Sequence, residues 1–196
     1  METRFEQQLR FIQEIDRLKQ IFRRTYLMDS SRPENDAEHS WHLAVMAMLL
    51  AEYAADSPID TSRVIKMVLV HDLVEIDAGD TYLYDERAGE DKSERERRAA
   101  DRIFGLLPED QARELRALWD EFETRATPEA KFALALDRFQ PLYHNYSTKG
   151  ISWQQHGVTS QQVLRRLSVM QDGAPRLWEY AQQLIRKSVE SGYLAP

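Results

Sequence analysis

The sequence predicts an all-α protein, one helical bundle without a sheet. Three observations predict it. Apolar residues recur at three- and four-residue steps over most of the 196 positions. Helix start and stop residues punctuate those runs. No alternating stretch is long enough for a strand, and the run richest in β-branched residues, Val68 to Val74, lies inside a helical pattern.

Phe5, Leu9, Ile12, Ile15, Leu18 and Phe22 keep helical spacing, which predicts one amphipathic helix. A polar loop follows from Asp29 to Asp36. The next helix is expected to start near Glu38 or His39 and to run through Tyr53. It is apolar nearly all round, so it belongs at the centre. Asp56-Ser-Pro breaks it, and Asp60, Thr61 and Ser62 are capping types before a helix from Val64 to about Ile76. Gly79 is the stop, and residues 80–91 read as a loop. A charged helix over 91–106 ends at Gly105, and Pro108 opens another to about Thr124. Thr127-Pro128-Glu129 is a start signal, with Thr as cap and Pro at the first helical position. Its helix carries Phe132, Leu136, Phe139 and Tyr143. Residues 145–157 are expected as a loop, and Val158 to about Tyr193 as helix with a break near Gly173-Ala-Pro175. That last stretch packs on its own core or on a partner; the sequence leaves both open.

Composition narrows the function. A hydrophobic share of 42 % allows a substantial core, and seven Gly and seven Pro exclude a fibrous or low-complexity chain. With no cysteine, disulfides, thiolate metal sites and a Cys nucleophile are excluded together. A net charge of −7 argues against a nucleic-acid polymer as partner, and requires a local cation to hold an anionic substrate. No apolar run reaches the roughly 18 residues of a membrane span, and the first residues lack the order of a secretory signal. The expectation is a soluble cytoplasmic protein.

Two positions are out of place in their helices. In Val68-Leu-Val-His71-Asp72-Leu-Val-Glu75, ionisable neighbours sit in an apolar stretch. A buried carboxylate is costly unless it is paired or binds a metal. On a regular helix adjacent side chains diverge by about 100°, so His71 and Asp72 are poorly aimed at each other but can converge on a third object, such as a metal ion. A buried His–Asp hydrogen-bonded pair is the simpler alternative. Asp137 is the second misfit, within Phe132-Ala-Leu-Ala-Leu-Asp137-Arg-Phe139. Arg138 beside it is expected on another face. His39, at the start of the apolar helix, completes a candidate set of two imidazoles and two carboxylates. Such a set suits one divalent ion among Mn, Co, Fe, Mg and Zn, with positions left for water and substrate.

Three blocks occur in order: Arg32-Pro-Glu-Asn-Asp-Ala-Glu38-His39-Ser40, His71-Asp72-Leu-Val-Glu75-Ile-Asp-Ala-Gly79-Asp80, and Glu129-Ala-Lys-Phe-Ala-Leu-Ala-Leu-Asp137. Over nearly the whole chain this resembles the HD-domain superfamily of metal-dependent phosphohydrolases, and most closely its small 5′-deoxynucleotidase and HD-domain-containing protein 2 branch. The resemblance implies a single HD domain over 1–196, with its core at about 20–145 and helices 158–193 packed on it. It implies metal ligation by His39, His71, Asp72 and Asp137. It implies that Glu75, at i+4 from His71, orients or deprotonates the attacking water, and that Asp80 lies near the sugar and phosphate. Arg24 matches an arginine aimed at the phosphate, although Arg23 leaves the register ambiguous by one. Thr25 stands where the bacterial nucleotidases have Trp, a residue linked to discrimination at the sugar. The implied reaction is hydrolysis of (deoxy)ribonucleoside 5′-monophosphates by a homodimer. The alternatives are another nucleotide or phosphoester as substrate, or non-catalytic nucleotide or metal binding. His42 is the candidate for an additional metal ligand.

Overall fold

The structure, a computed structural model, describes residues 2–85 and 91–196. It is helical apart from a two-stranded sheet. Helix α1 spans Arg4–Ile15 and opens on a Thr3–Glu6 capping box. A 3-10 segment, Asp16–Gln20, follows it. The chain then forms strand β1, Phe22–Tyr26, paired antiparallel with β2, Pro33–Asn35. This corrects the expectation of helix through Phe22 and of loop across 29–36. The helical spacing carries on past Ile15, but Phe22, Thr25 and Tyr26 are strand-forming types. Strands of five and three residues are too short to display alternation.

Helix α2, Asp36–Leu50, starts earlier than expected because Asn35 and Glu38 form a capping box. Helix α3, Thr61–Val70, is capped by Asp60. The helix expected to run to Ile76 breaks after Val70 into a 3-10 turn, His71–Val74, followed by α4, Glu75–Ala78. Gly79, at φ 75°, ends α4 in a conformation that glycine adopts at no steric cost. Of the loop expected at 80–91, residues 86–90 lie outside the described residues.

Helices α5, Lys92–Phe104, and α6, Glu109–Thr124, follow as anticipated. Helix α7, Pro128–Ser147, is the central one, capped by Thr127 with Pro128 in its first turn. It packs against α2, α3 and α6. Phe132 and Leu136 have no exposed surface, and cutting Phe132 back to alanine would cost about 3–5 kcal/mol. Pro141 lies inside α7. It has no N–H to give the Asp137 carbonyl one turn earlier, which loosens the helix beside that residue.

The loop expected at 145–157 is also corrected. Helix α7 continues to Ser147, and α8 covers Ile151–His156 between Gly150 and Gly157, both at positive φ. Helices α9, Ser160–Leu167, α10, Met170–Gly173, and α11, Pro175–Glu190, complete the chain. Leu167, Leu177, Trp178 and Leu184 are buried, and α10 and α11 pack on α7. These helices therefore face their own core. At the α10–α7 crossing the backbones touch: a Cβ on Gly173 would lie 2.0 Å from the Lys131 carbonyl oxygen. Among the described residues no helix is long and apolar enough to cross a membrane.

Candidate metal centre

Three elements deliver the candidate ligands. His39 stands one turn into α2, His71 and Asp72 open the 3-10 turn after α3, and Asp137 lies at mid-α7. All four are buried, His39 completely. His39 Nε2 is 3.0 Å from Asp137 Oδ1 and 3.9 Å from Asp72 Oδ2. His71 Nε2 is 3.1 Å from Asp72 Oδ1 and 3.7 Å from Asp137 Oδ1. The expectation that His71 and Asp72 aim apart is therefore corrected. The 3-10 turn, which the periodicity hid, brings their polar atoms together while both still face His39 and Asp137. Arg138 is corrected as well: it folds back so that Nη1 donates to Asp137 Oδ2 at 2.6 Å.

The second ring nitrogens settle which ends are available. His71 Nδ1 donates to the Val68 carbonyl at 2.9 Å, and His39 Nδ1 to Gln140 Oε1 at 3.1 Å. Both acceptors can only accept, so a neutral ring keeps its lone pair on Nε2. Two such lone pairs would face carboxylate oxygens, so positive charge is needed between them, supplied by a metal ion or, without one, by a second proton on each ring. His71 Nε2 is buried without a hydrogen-bond partner. The donor set of His39, His71 and Asp137, whose ligand atoms lie within 4.8 Å of one another, therefore fits a divalent metal ion, and Asp72 borders it at 3.1 Å from His71 Nε2 and 3.9 Å from His39 Nε2.

The field of the site has the same sign. Burial opposes charge on His71, but Asp72 and Asp137 outweigh it and raise its pKa to about 10. Burial also opposes ionisation of Asp72 and Asp137, yet His71 and Arg23 hold Asp72, and Arg138 and His39 hold Asp137, below the usual carboxylate range. Beside them Asp36, Asp72 and Glu75 form a second acidic group. Burial and then Asp72 raise Asp36 to about 6, and burial with Asp72, Asp36 and Asp80 pushes Glu75 well up. Asp80 is raised, chiefly by burial.

A cavity of about 850 Å³ opens onto these groups. His71, Asp72, Glu75, Asp80 and Asp137 line it, with Arg24 and Thr25 of β1 on its wall. The structure thus brings to the cavity every residue singled out in the sequence except His39, which sits behind the lining, and His42. Arg24 is exposed, whereas Arg23 is largely buried and donates from Nη1 to Asp72 and Asp36. Arg23 was foreseen only as the alternative to Arg24, and Asp36 and Gln140 were not foreseen. Asp36 read as part of a polar loop, although the Asn35–Glu38 capping pattern was there to place it in a helix. His42 faces Gln140 and His144 rather than the metal ligands.

The HD domain family matches residues 15–178. The chain belongs to the HD domain family. Among other HD domain proteins, the 5′-deoxynucleotidase HDDC2 of Mus musculus is 37 % identical over 131 residues, covering 66 % of this chain and 64 % of that protein. The Homo sapiens HDDC2 is 37 % identical over 131 residues, covering 66 % and 62 %. The chain thus spans a little under two thirds of the length of these curated relatives. A crystal structure described as a predicted metal-dependent phosphohydrolase, from Magnetospirillum magnetotacticum MS-1, shares 56 % identity. It superposes with a TM-score of 0.94, covering 100 % of this chain and 97 % of that one.

Proposed function

We propose that this HD domain protein hydrolyses (deoxy)ribonucleoside 5′-monophosphates to nucleoside and phosphate. The observation that carries the proposal is the convergence of two imidazole lone pairs and two carboxylates at one end of a cavity that Glu75 also lines. The names of the curated relatives support the substrate class.

When bound, a divalent ion supplies Lewis acidity: it lowers the pKa of a water and neutralises phosphate charge. The chain's own groups do the rest. Glu75, its proton affinity raised by burial and like charge, accepts the proton of the attacking water. The water oxygen bonds to phosphorus as the bond to the 5′ oxygen breaks. Asp80, also raised, returns a proton to that oxygen. Arg24 holds the phosphate from the cavity wall, and Arg23 keeps Asp72 and Asp36 aligned. Thr25, smaller than the Trp of the bacterial nucleotidases, leaves room at the sugar, so ribose is tolerated beside deoxyribose.

We further assign a cytoplasmic homodimer. Exposed Phe5, Leu9 and Ile12 on α1 and Trp41, Met48 and Leu49 on α2 supply the apolar surface for it, and sedimentation at equilibrium reads it directly. The activity is tested by phosphate release from dAMP, dCMP, dUMP, dTMP and AMP with Mn²⁺ or Co²⁺. Release from the monophosphates is the expected result. No release with either ion overturns the proposal.

A further inference from the structure

Gln140 lies on α7, three residues beyond Asp137, and is 1 % exposed. Its Oε1 accepts from His39 Nδ1 at 3.1 Å. Its Nε2 is 2.6 Å from Glu34 Oε1, 3.1 Å from His144 Nε2 and 3.3 Å from His42 Nδ1. We infer that Gln140 is a positioning residue for the metal centre: its carboxamide fixes which nitrogen of His39 carries the proton, and the buried groups behind it fix the carboxamide. The inference rests on reading His39, His71, Asp72 and Asp137 as metal ligands.

The directions of the bonds that join His39, Gln140, Glu34 and His144 follow from acceptors at their ends. His144 Nδ1 is 3.0 Å from the Tyr26 carbonyl, which only accepts, so Nδ1 bears the proton and His144 Nε2 is a lone pair. The Glu34 carboxylate, 1 % exposed, also only accepts. The amide nitrogen of Gln140 must therefore face Glu34 and His144, with its oxygen toward His39. Turning the amide over would press Oε1 against the Glu34 carboxylate and the His144 lone pair. With Oε1 facing His39, Nδ1 has to donate, and the lone pair of His39 is left on Nε2, where Asp137 and Asp72 lie. One run of donors leads from His39 through Gln140 and His144 to the backbone of β1. Removing the amide lets His39 place its proton on Nε2, the nitrogen that has to bind the ion.

Glu34, His42 and His144 also hold ligand atoms within 4.8 Å of one another, which invites a second cation. The Gln140 amide nitrogen already occupies the space among them. A cation there would expel the amide and free the His39 tautomer, so the trio anchors Gln140 instead.

The test uses the full chain and Co²⁺ as probe. Gln140→Leu should weaken Co²⁺ affinity, measured by chelator competition, by about 10–100-fold. In the metal-free protein at alkaline pH, where the ring is neutral, nitrogen chemical shifts of His39 should report protonation on Nδ1 in the native chain and a tautomer mixture in Gln140→Leu. If Gln140→Leu does not fold, the pair Glu34→Gln with Gln140→Glu answers the same question. A carboxylate at 140 only accepts, so the double variant should bind Co²⁺ more tightly than Glu34→Gln alone. A Gln140→Leu protein with affinity within about twofold of native and an unchanged tautomer overturns the inference, as does a double variant no tighter than Glu34→Gln. A native chain that fails to bind Co²⁺ overturns the metal reading itself, an outcome distinct from either.

Discussion

Arg23 crosses from β1 to the 3-10 turn and donates through Nη1 to Oδ2 of Asp72 at 2.8 Å. The same nitrogen is 3.0 Å from Asp36 Oδ1. Its guanidinium is thus an internal counter-ion for two buried acids. Arg24, next in the chain, is exposed at the cavity wall. Both arginines border the cavity, but Arg23 turns in to the two acids while Arg24 is left exposed.

Removing each arginine should therefore fail differently. Arg23→Ala strands Asp36 without a counter-ion and leaves Asp72 with His71, and should cost about 3–5 kcal/mol of stability. Arg24→Ala should change stability by less than about 0.5 kcal/mol while raising KM for the nucleotide. Denaturant titration beside steady-state kinetics separates the two. Equal stability losses would contradict this division.

Glu75→Gln should lower kcat by about 10²–10⁴-fold and leave Co²⁺ binding in place. Burial and the neighbouring Asp72, Asp36 and Asp80 favour the neutral carboxyl, so a neutral amide of the same size replaces it and the thermal midpoint should hold. A midpoint drop of several degrees would make Glu75 a structural group instead.

His71→Ala should abolish tight Co²⁺ binding and turnover together. His71 Nε2 is buried without a hydrogen-bond partner, so the one internal side-chain bond lost is that from Nδ1 to the Val68 carbonyl. Equilibrium dialysis followed by metal analysis checks it; bound metal equal to that of the native chain would remove His71 from the ligand set.

Burial holds His144 below its ordinary pKa of 6.5, against a smaller opposing pull from Glu34. Below pH 6.5 the unfolded chain takes up a proton that the folded chain refuses, so this group's contribution to stability falls as pH drops and levels off below the folded pKa. Between pH 7.5 and 5.5 the native protein should lose more stability than His144→Gln. Thermal melts of both at the two pH values read the difference, and equal losses would count against it.

The helical class and three of the four proposed ligands were legible because they violate local rules in plain view. His71, Asp72 and Asp137 are charges in apolar runs, and Thr127-Pro128 announces α7. The sheet was not legible, since strands of five and three residues repeat a two-residue period too few times to stand out. The break of α3 at Val70 was hidden by apolar residues that continue through it. Gln140 left no trace, because one polar residue on a helix reads as surface until the neighbours that surround it are known.

Gly173 carries no chemistry and touches no ligand, yet its lack of a side chain lets α10 rest directly on the first turns of α7. The helix it supports carries Asp137 six residues further on. A methyl group at 173 would act as a wedge, transmitted along a stiff rod to the metal. In a saturation screen for lost activity, this silent backbone contact would stand out beside the ligands themselves.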